Sequence, residues 1–334
     1  MIRARWILSC PALALTGCAS LPLSYLDSTA PVGGRIAQLG WGMLIISVVV
    51  VLIIAGLLVA AIWRGSTEVD GRELAVRRDT GGMRWIYVGV GISSAVLAIS
   101  AIWTLLTLKA VAQPASGAAP LTIGIVAHQW WWQADYRPSQ AQGNFTTANE
   151  VHIPVGVPVR FELRSADVIH SFWVPKLAGK TDVIPGRTNS MWVEARQPGI
   201  YRGQCAEYCG IEHALMSFRV IAEPIDRFRS WQAAELSGRS PQQGSASAQG
   251  AAIFAAHCGA CHAMRGTEAG GAYGPDLTNL GSRTTLAAGM IQNTPRNLAY
   301  WIRHAQEVKP GARMPNVPLS DADVAKLVPY LEAR

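Results

Sequence analysis

The stretch Cys205-Ala206-Glu207-Tyr208-Cys209-Gly210-Ile211-Glu212-His213-Ala214-Leu215-Met216 decides how this chain is read. Two thiols, an imidazole and a thioether fall on one short loop, and His170 stands upstream in Val168-Ile169-His170-Ser171-Phe172-Trp173. These are soft donors. A single copper ion of the electron-transfer type takes one Cys, two His and a weak axial Met, which Cys209, His170, His213 and Met216 would supply. Cys205 is then one thiolate more than one ion needs. Two thiolates on one loop can bridge a pair of copper ions that share an electron, and such a centre carries electrons without making or breaking bonds. A Cys205–Cys209 disulfide in an oxidising compartment, with His213 and Met216 merely packed, is the alternative.

Downstream, Cys258-Gly259-Ala260-Cys261-His262 has the attachment spacing of a c-type haem, in which two thiols bond the macrocycle and the next His becomes an axial ligand. A zinc site would need further donors, and His257 and His304 are the nearest. The second axial ligand has to come from the far side of the haem. Met264 follows His262 too closely to reach there, so Met314 is the candidate and Met290 the reserve. Gly274-Pro275-Asp276-Leu277 reads as a loop whose Pro275 carbonyl accepts the His262 ring N–H and fixes the ring.

Between these motifs the pattern changes twice. Short apolar runs at Leu121–Ala127, Val151–Ile153, Val157–Leu163, Met191–Val193 and Met216–Ile221 are punctuated by Pro and Gly, the rhythm of a small β-sandwich or barrel. Residues 237–249 are rich in Ser, Gln, Gly and Ala and read as a flexible tether. The stretch 250–334 is Gly- and Ala-rich and reads as a separate helical unit.

Upstream lies a membrane signature. No charge interrupts the chain between Arg35 and Arg64 or between Arg84 and Lys109, and roughly 20 apolar residues suffice to cross a bilayer. The connector carries Arg64, Arg72, Arg77, Arg78 and Arg84, which places it in the cytoplasm and everything after Lys109 outside. The first residues, with Arg3, Arg5 and an apolar run to Leu15, read as an export signal too short to span. Leu15-Thr16-Gly17-Cys18 is similar to a bacterial lipobox, in which Cys18 becomes a lipidated N-terminus; plain cleavage nearby is the alternative.

Composition agrees. Of 334 residues 50% are hydrophobic and only 15% charged, too apolar for an ordinary soluble enzyme and far from a disordered chain. The excess of 29 Lys and Arg over 22 Asp and Glu is scattered or gathered beside an apolar run, so a nucleic-acid partner is excluded.

Taken together, the apolar pair, His-Ser-Phe-Trp, C-x-E-x-C-G-x-x-H-x-x-M and the haem motif resemble subunit II of a bacterial cytochrome c oxidase with a fused cytochrome c domain. The resemblance implies a multidomain membrane protein: a two-helix transmembrane hairpin, a cupredoxin-like Greek-key β-barrel and an all-α class I cytochrome c domain. The expected divisions are a lipoprotein-type signal over 1–17, an N-terminal segment over 18–37 and the hairpin over 38–110. The copper domain comes next over 119–230, then a flexible linker over 231–249 and the cytochrome over 250–334. The resemblance also implies that His170, Cys205, Cys209, His213, Met216 and the Glu207 carbonyl bind a dinuclear copper centre, CuA. The Glu207 carboxylate would face a magnesium ion shared with subunit I. His128-Gln129-Trp130-Trp131-Trp132 matches the family's aromatic strand, with Trp130 where electrons arrive; an interfacial aromatic belt is the alternative. Lys180 to Arg187 matches a segment near subunit I. Cys258, Cys261, His262 and Met314 would hold haem c.

The implied role is to pass electrons from a cytochrome c or bc1-type donor through haem c and CuA to subunit I, where oxygen is reduced with proton pumping. Subunit III is a further expected partner, and the location is the bacterial inner membrane with both redox domains on the periplasmic side. The alternatives are the input subunit of a CuA-containing nitric oxide reductase and, in a different class, a copper-binding assembly protein. Three features depart from the family: Gly82-Met83-Arg84-Trp85 has no acid for proton uptake, Trp131 stands where Tyr is usual, and Pro329 interrupts the last helix.

Overall fold

The structure, a computed structural model, describes residues 21–64, 82–112, 121–137, 143–237 and 245–333. Cys18, its proposed lipidation, the 1–17 signal and most of the Arg-rich connector lie outside these residues. Helix α1 covers Pro31–Trp63, with Pro31 in the first turn, where its missing N–H forfeits no helical bond. Helix α2 covers Gly82–Ala112. Both are long and apolar enough to cross a membrane, and the Trp103 ring lies against Gly42 where they meet.

The hairpin starts earlier than residue 38 because the segment before it is tied down. Ser28 donates to the Lys176 carbonyl at 2.6 Å, Lys176 pairs with Asp27 at 3.0 Å, and Ala30 and Val32 are buried in the core of the next domain. The N-terminal segment therefore braces the helix pair against that domain.

The domain itself is a sandwich of two five-stranded sheets. Its strands are β1 (Leu121–His128), β2 (Trp131–Tyr136), β3 (Phe145–Ala148), β4 (Glu150–Pro154) and β5 (Val159–Ser165), then β6 (His170–Trp173), β7 (Thr181–Val183), β8 (Asn189–Val193), β9 (Gly199–Cys205) and β10 (Ser217–Glu223). One sheet has the order β3-β2-β1-β5-β8 and the other β4-β10-β9-β6-β7. The β1–β5 and β4–β10 pairs are parallel and the rest antiparallel, so the chain crosses repeatedly between sheets. Alternation along β1 and β5 sends Ile123, Ile125, Ala127, Phe161 and Leu163 into a fully buried core. There Trp132, Phe172 and Phe218 pack with ring centroids 4.3–5.3 Å apart.

The described residues of the stretch expected to be a flexible linker, 231–237 and 245–249, are helical. Helix α3 (Ile225–Ser237) continues past residue 230, burying Phe228 and Glu235, and α4 (Ser245–His257) begins before residue 250. The physical reason is packing: Phe228 and Glu235 of α3 and Phe254 of α4 are buried, and tertiary contact stabilises a helix more than propensity does. The remaining helices are α5 (Pro295–Arg303), α6 (Ala305–Val308) and α7 (Asp321–Glu332). Helix α4 crosses α7 where Gly250 meets Tyr330, and the Phe254 and Tyr330 rings lie 6.1 Å apart. Pro329 sits inside α7, which nonetheless continues to Glu332 because Leu327, Val328, Tyr330 and Leu331 are all buried.

Candidate functional site

Strand β9 ends on Cys205 and β10 starts just after Met216, so the intervening loop is clamped at both ends by one antiparallel pair. The neighbouring strand β6 opens on His170. The donors converge. Cys205 Sγ lies 3.8 Å from Cys209 Sγ and 3.9 Å from His170 Nδ1, while Cys209 Sγ lies 3.6 Å from His213 Nδ1 and 3.8 Å from Met216 Sδ. The Glu207 carbonyl is 3.3 Å from Cys205 Sγ. A short 3-10 turn at His213–Leu215 swings the imidazole back toward Cys209. His170, Cys205, Cys209 and Met216 are all buried, and donor atoms of the first three lie within 4.8 Å of one another.

The two thiols are coupled, and one holds its proton while the other loses it. Cys209, lying beside it, and then the His170 contact hold the Cys205 thiol far below its ordinary value, at about 3; the Cys205 thiolate in turn pushes Cys209 up. Burial acts to lower the His170 pKa, but the hydrogen bonds with Asp167 and Cys205 outweigh it and raise it. Asp167 joins two parts of the site: its Oδ1 lies 2.8 Å from His170 Nε2 and its Oδ2 accepts from Gln129 N–H at 2.7 Å. Its carboxyl is lowered overall, because those bonds exceed the opposing effect of burial.

Above the loop sits the aromatic segment, with Gln129 and Trp130 in the turn between β1 and β2 rather than on a strand. Gln129 Nε2 and Trp130 Nε1 both donate to the Cys209 carbonyl, at 2.8 and 2.9 Å. Gly210 makes this approach possible, since its φ is +116° and an added Cβ would fall 2.9 Å from the Trp130 ring. Trp131 stacks on His128 with centroids 4.2 Å apart, and Trp132 goes into the core.

In the helical unit, Cys258, Cys261, His262 and Met314 line one cleft with Trp301, Ile302, Leu298 and Leu331. His262 Nδ1 lies 2.8 Å from the Pro275 carbonyl, which can only accept, so Nδ1 carries the proton and Nε2 is left as the ligand atom. Burial lowers the His262 pKa, keeping the imidazole neutral as a ligand must be. Gly274 makes room for it: a Cβ there would fall 2.5 Å from His262 Cε1. Met290, the reserve, is not among the cleft-lining residues, and Met264 is buried with its sulfur against the Tyr330 hydroxyl at 3.4 Å. The cleft fits an apolar macrocycle tied by two thiols.

The same cleft is also lined by Gln129, Trp130, Trp131 and Asn149 from the β-sandwich. The two candidate centres thus share a wall. Sequence reasoning missed Asp167, which bonds both His170 and the Gln129 backbone behind this wall. A D-x-x-H spacing before β6 was the available signal.

A family model described as cytochrome c oxidase subunit II, periplasmic domain, matches residues 138–223, and one described as cytochrome c matches residues 247–334. The chain is 37% identical to cytochrome c oxidase subunit 2 of Alkalihalophilus pseudofirmus over 339 residues, covering 98% of this chain and 95% of that protein. It is 31% identical to the same subunit of a Bacillus sp. (strain PS3), over 71% of this chain and 70% of that one. Among solved structures, the periplasmic domain of subunit II of cytochrome oxidase from Bradyrhizobium japonicum aligns at 32% identity and a TM-score of 0.34, over 36% of this chain and 96% of that one. With a relative at this identity covering nearly its whole length, the chain belongs to the cytochrome c oxidase subunit 2 family.

Proposed function

We propose that this chain is the electron-input subunit of a haem-copper terminal oxidase, taking electrons from a cytochrome c or bc1-type donor and passing them to subunit I. There oxygen is reduced to water and protons are pumped. Cys258, Cys261, His262 and Met314 would hold a covalent haem c. His170, Cys205, Cys209, His213, Met216 and the Glu207 carbonyl would hold a dinuclear copper centre. When bound, these groups supply one-electron chemistry, and the protein supplies position and screening.

The chain's own residues do the rest. Asp167 orients His170, the Pro275 carbonyl orients His262, and the buried aromatic core around Trp132 keeps the copper donors from rearranging. Trp130 would receive the electrons, and the Glu207 carboxylate would be a ligand for a magnesium ion shared with subunit I. Two spans anchor the chain in the bacterial inner membrane beside subunits I and III, with both redox domains on the periplasmic side and, at the N-terminus, a lipidated Cys18.

One observation carries this reading: the buried His170, Cys205 and Cys209 donors lie within 4.8 Å of one another, His213 and Met216 adjoin Cys209, and the Trp130 indole bridges from their loop to the cleft of the haem motif. The test is paramagnetic resonance of the purified, copper-loaded protein. Two coppers per chain with one unpaired electron divided equally between them support the reading; a mononuclear copper signal at full loading overturns it.

A further inference from the structure

Glu150 is the first residue of β4, at the edge of its sheet, and is only 2% exposed. Its partners come from 134 residues further along the chain. Thr284 and Thr285 each turn both backbone N–H and hydroxyl toward its carboxylate, at 2.5 to 3.1 Å. Arg219, on the strand beside β4, donates to the Thr284 hydroxyl at 2.9 Å. A carboxylate buried away from water is tolerated only when its lone pairs are filled in this way.

Further contacts lie along the same seam. The Ser217 backbone N–H and hydroxyl donate to the Ala288 carbonyl at 3.2 and 2.7 Å. Ala287 and Ala288 hold positive φ angles of 52° and 59°, a conformation that side-chain-bearing residues keep only where surroundings over-determine it. Lys309 is 3% exposed and donates through Nζ to the Trp130 carbonyl at 2.5 Å. At the far end, Arg265 donates to the Glu235 and Leu236 carbonyls, and Asn279 bonds the Glu235 carboxylate.

We infer that Glu150 and Lys309 are positioning residues that clamp the cytochrome unit onto the copper unit, with the Cys258–Met314 cleft seated over Trp130. This deepens the electron-input reading and rests on it. The haem domain is not a tethered shuttle that finds the copper domain by diffusion. It is docked by a buried carboxylate on one side and a buried ammonium on the other, and the Trp130 face is covered by the chain itself. An outside donor meets the haem cleft, whose Cys261 and Tyr273 rim is exposed.

The experiment is hydrogen exchange at the Ser217 amide in the intact detergent-solubilised oxidase, since that N–H bonds across the seam but touches neither clamp residue. Glu150→Ala, and independently Thr284→Val with Thr285→Val on the opposite side, should each raise its exchange by roughly tenfold, the scale on which losing charge-assisted bonds shifts a docking equilibrium. Glu150→Gln, which keeps one acceptor oxygen, should recover part of the protection. Electron equilibration between the two centres after photoreduction should slow in the same order, with both optical spectra unchanged. Exchange at Ser217 equal to wild type in both variants overturns the clamp. A wild-type protein lacking the copper pair or the haem overturns the functional reading instead, and the exchange result stands apart from it because it needs neither cofactor.

Discussion

Met216 is buried 3.8 Å from one of the two thiolates and reaches the loop from the strand side, whereas the cysteines and histidines close around the centre from three elements. A thioether is the weakest donor in the set and tunes more than it holds. Met216→Leu should therefore retain two coppers while making the unpaired electron unequal between them, which resonance spectra and metal analysis together would check. Gly210 makes a sharper case. Gly210→Ala forces a Cβ into both a positive φ and the Trp130 ring, a strain of about 1–3 kcal/mol. The expected outcome is a copper domain less stable by that amount in thermal unfolding, with Trp130 displaced from the Cys209 carbonyl. An unshifted transition would show that the loop relaxes freely.

Strand β10 leaves the copper loop and delivers Glu223 to His152 on β4, at 2.9 Å, under the Trp231 ring of α3, whose centroid lies 4.0 Å from the imidazole. The hydrogen bond from His152 holds the Glu223 carboxyl below its ordinary value near 4.5. A carboxyl depressed in the folded state adds stability above its unfolded pKa and loses it as pH falls through the folded one. Thermal unfolding should thus show extra loss of stability below about pH 4.5, and Glu223→Gln should be less stable at neutral pH but show a flatter acid limb. An identical acid limb would show that the pair adds nothing to the fold. At this scale, strands with alternating apolar residues such as β1 and β5 were legible in the sequence. Strands β6, β7 and β9 were not, because β6 is buried on nearly every residue, β7 is three residues long and mostly polar, and β9 is exposed over its first half with no apolar alternation. The ligand motifs were legible because their donors lie a few residues apart on one loop. Residues that work at a distance, such as Glu150 toward Thr284, leave no spacing to read.

Across the whole chain, α3 reaches to Ser237 and α4 begins at Ser245, at the two ends of the stretch that reads as a tether, and the cytochrome c unit shares a wall with the β-sandwich. Deleting residues 245–334 should leave a membrane protein with an intact copper centre, because the sandwich core is complete without them. It should lose most turnover with the native cytochrome donor yet still accept electrons from a small artificial reductant. Full turnover of the truncated form with that donor would make the cytochrome a side branch. The electron-input role proposed for this molecule depends on the order haem c, then copper, then subunit I. Stopped-flow reduction of the intact oxidase by its cytochrome donor, following the haem and copper bands separately, reads that order: the haem band should change first and the copper band should come after it at a rate independent of donor concentration. Copper reduced before haem, or at a rate that rises with donor concentration when the haem does not, would contradict it.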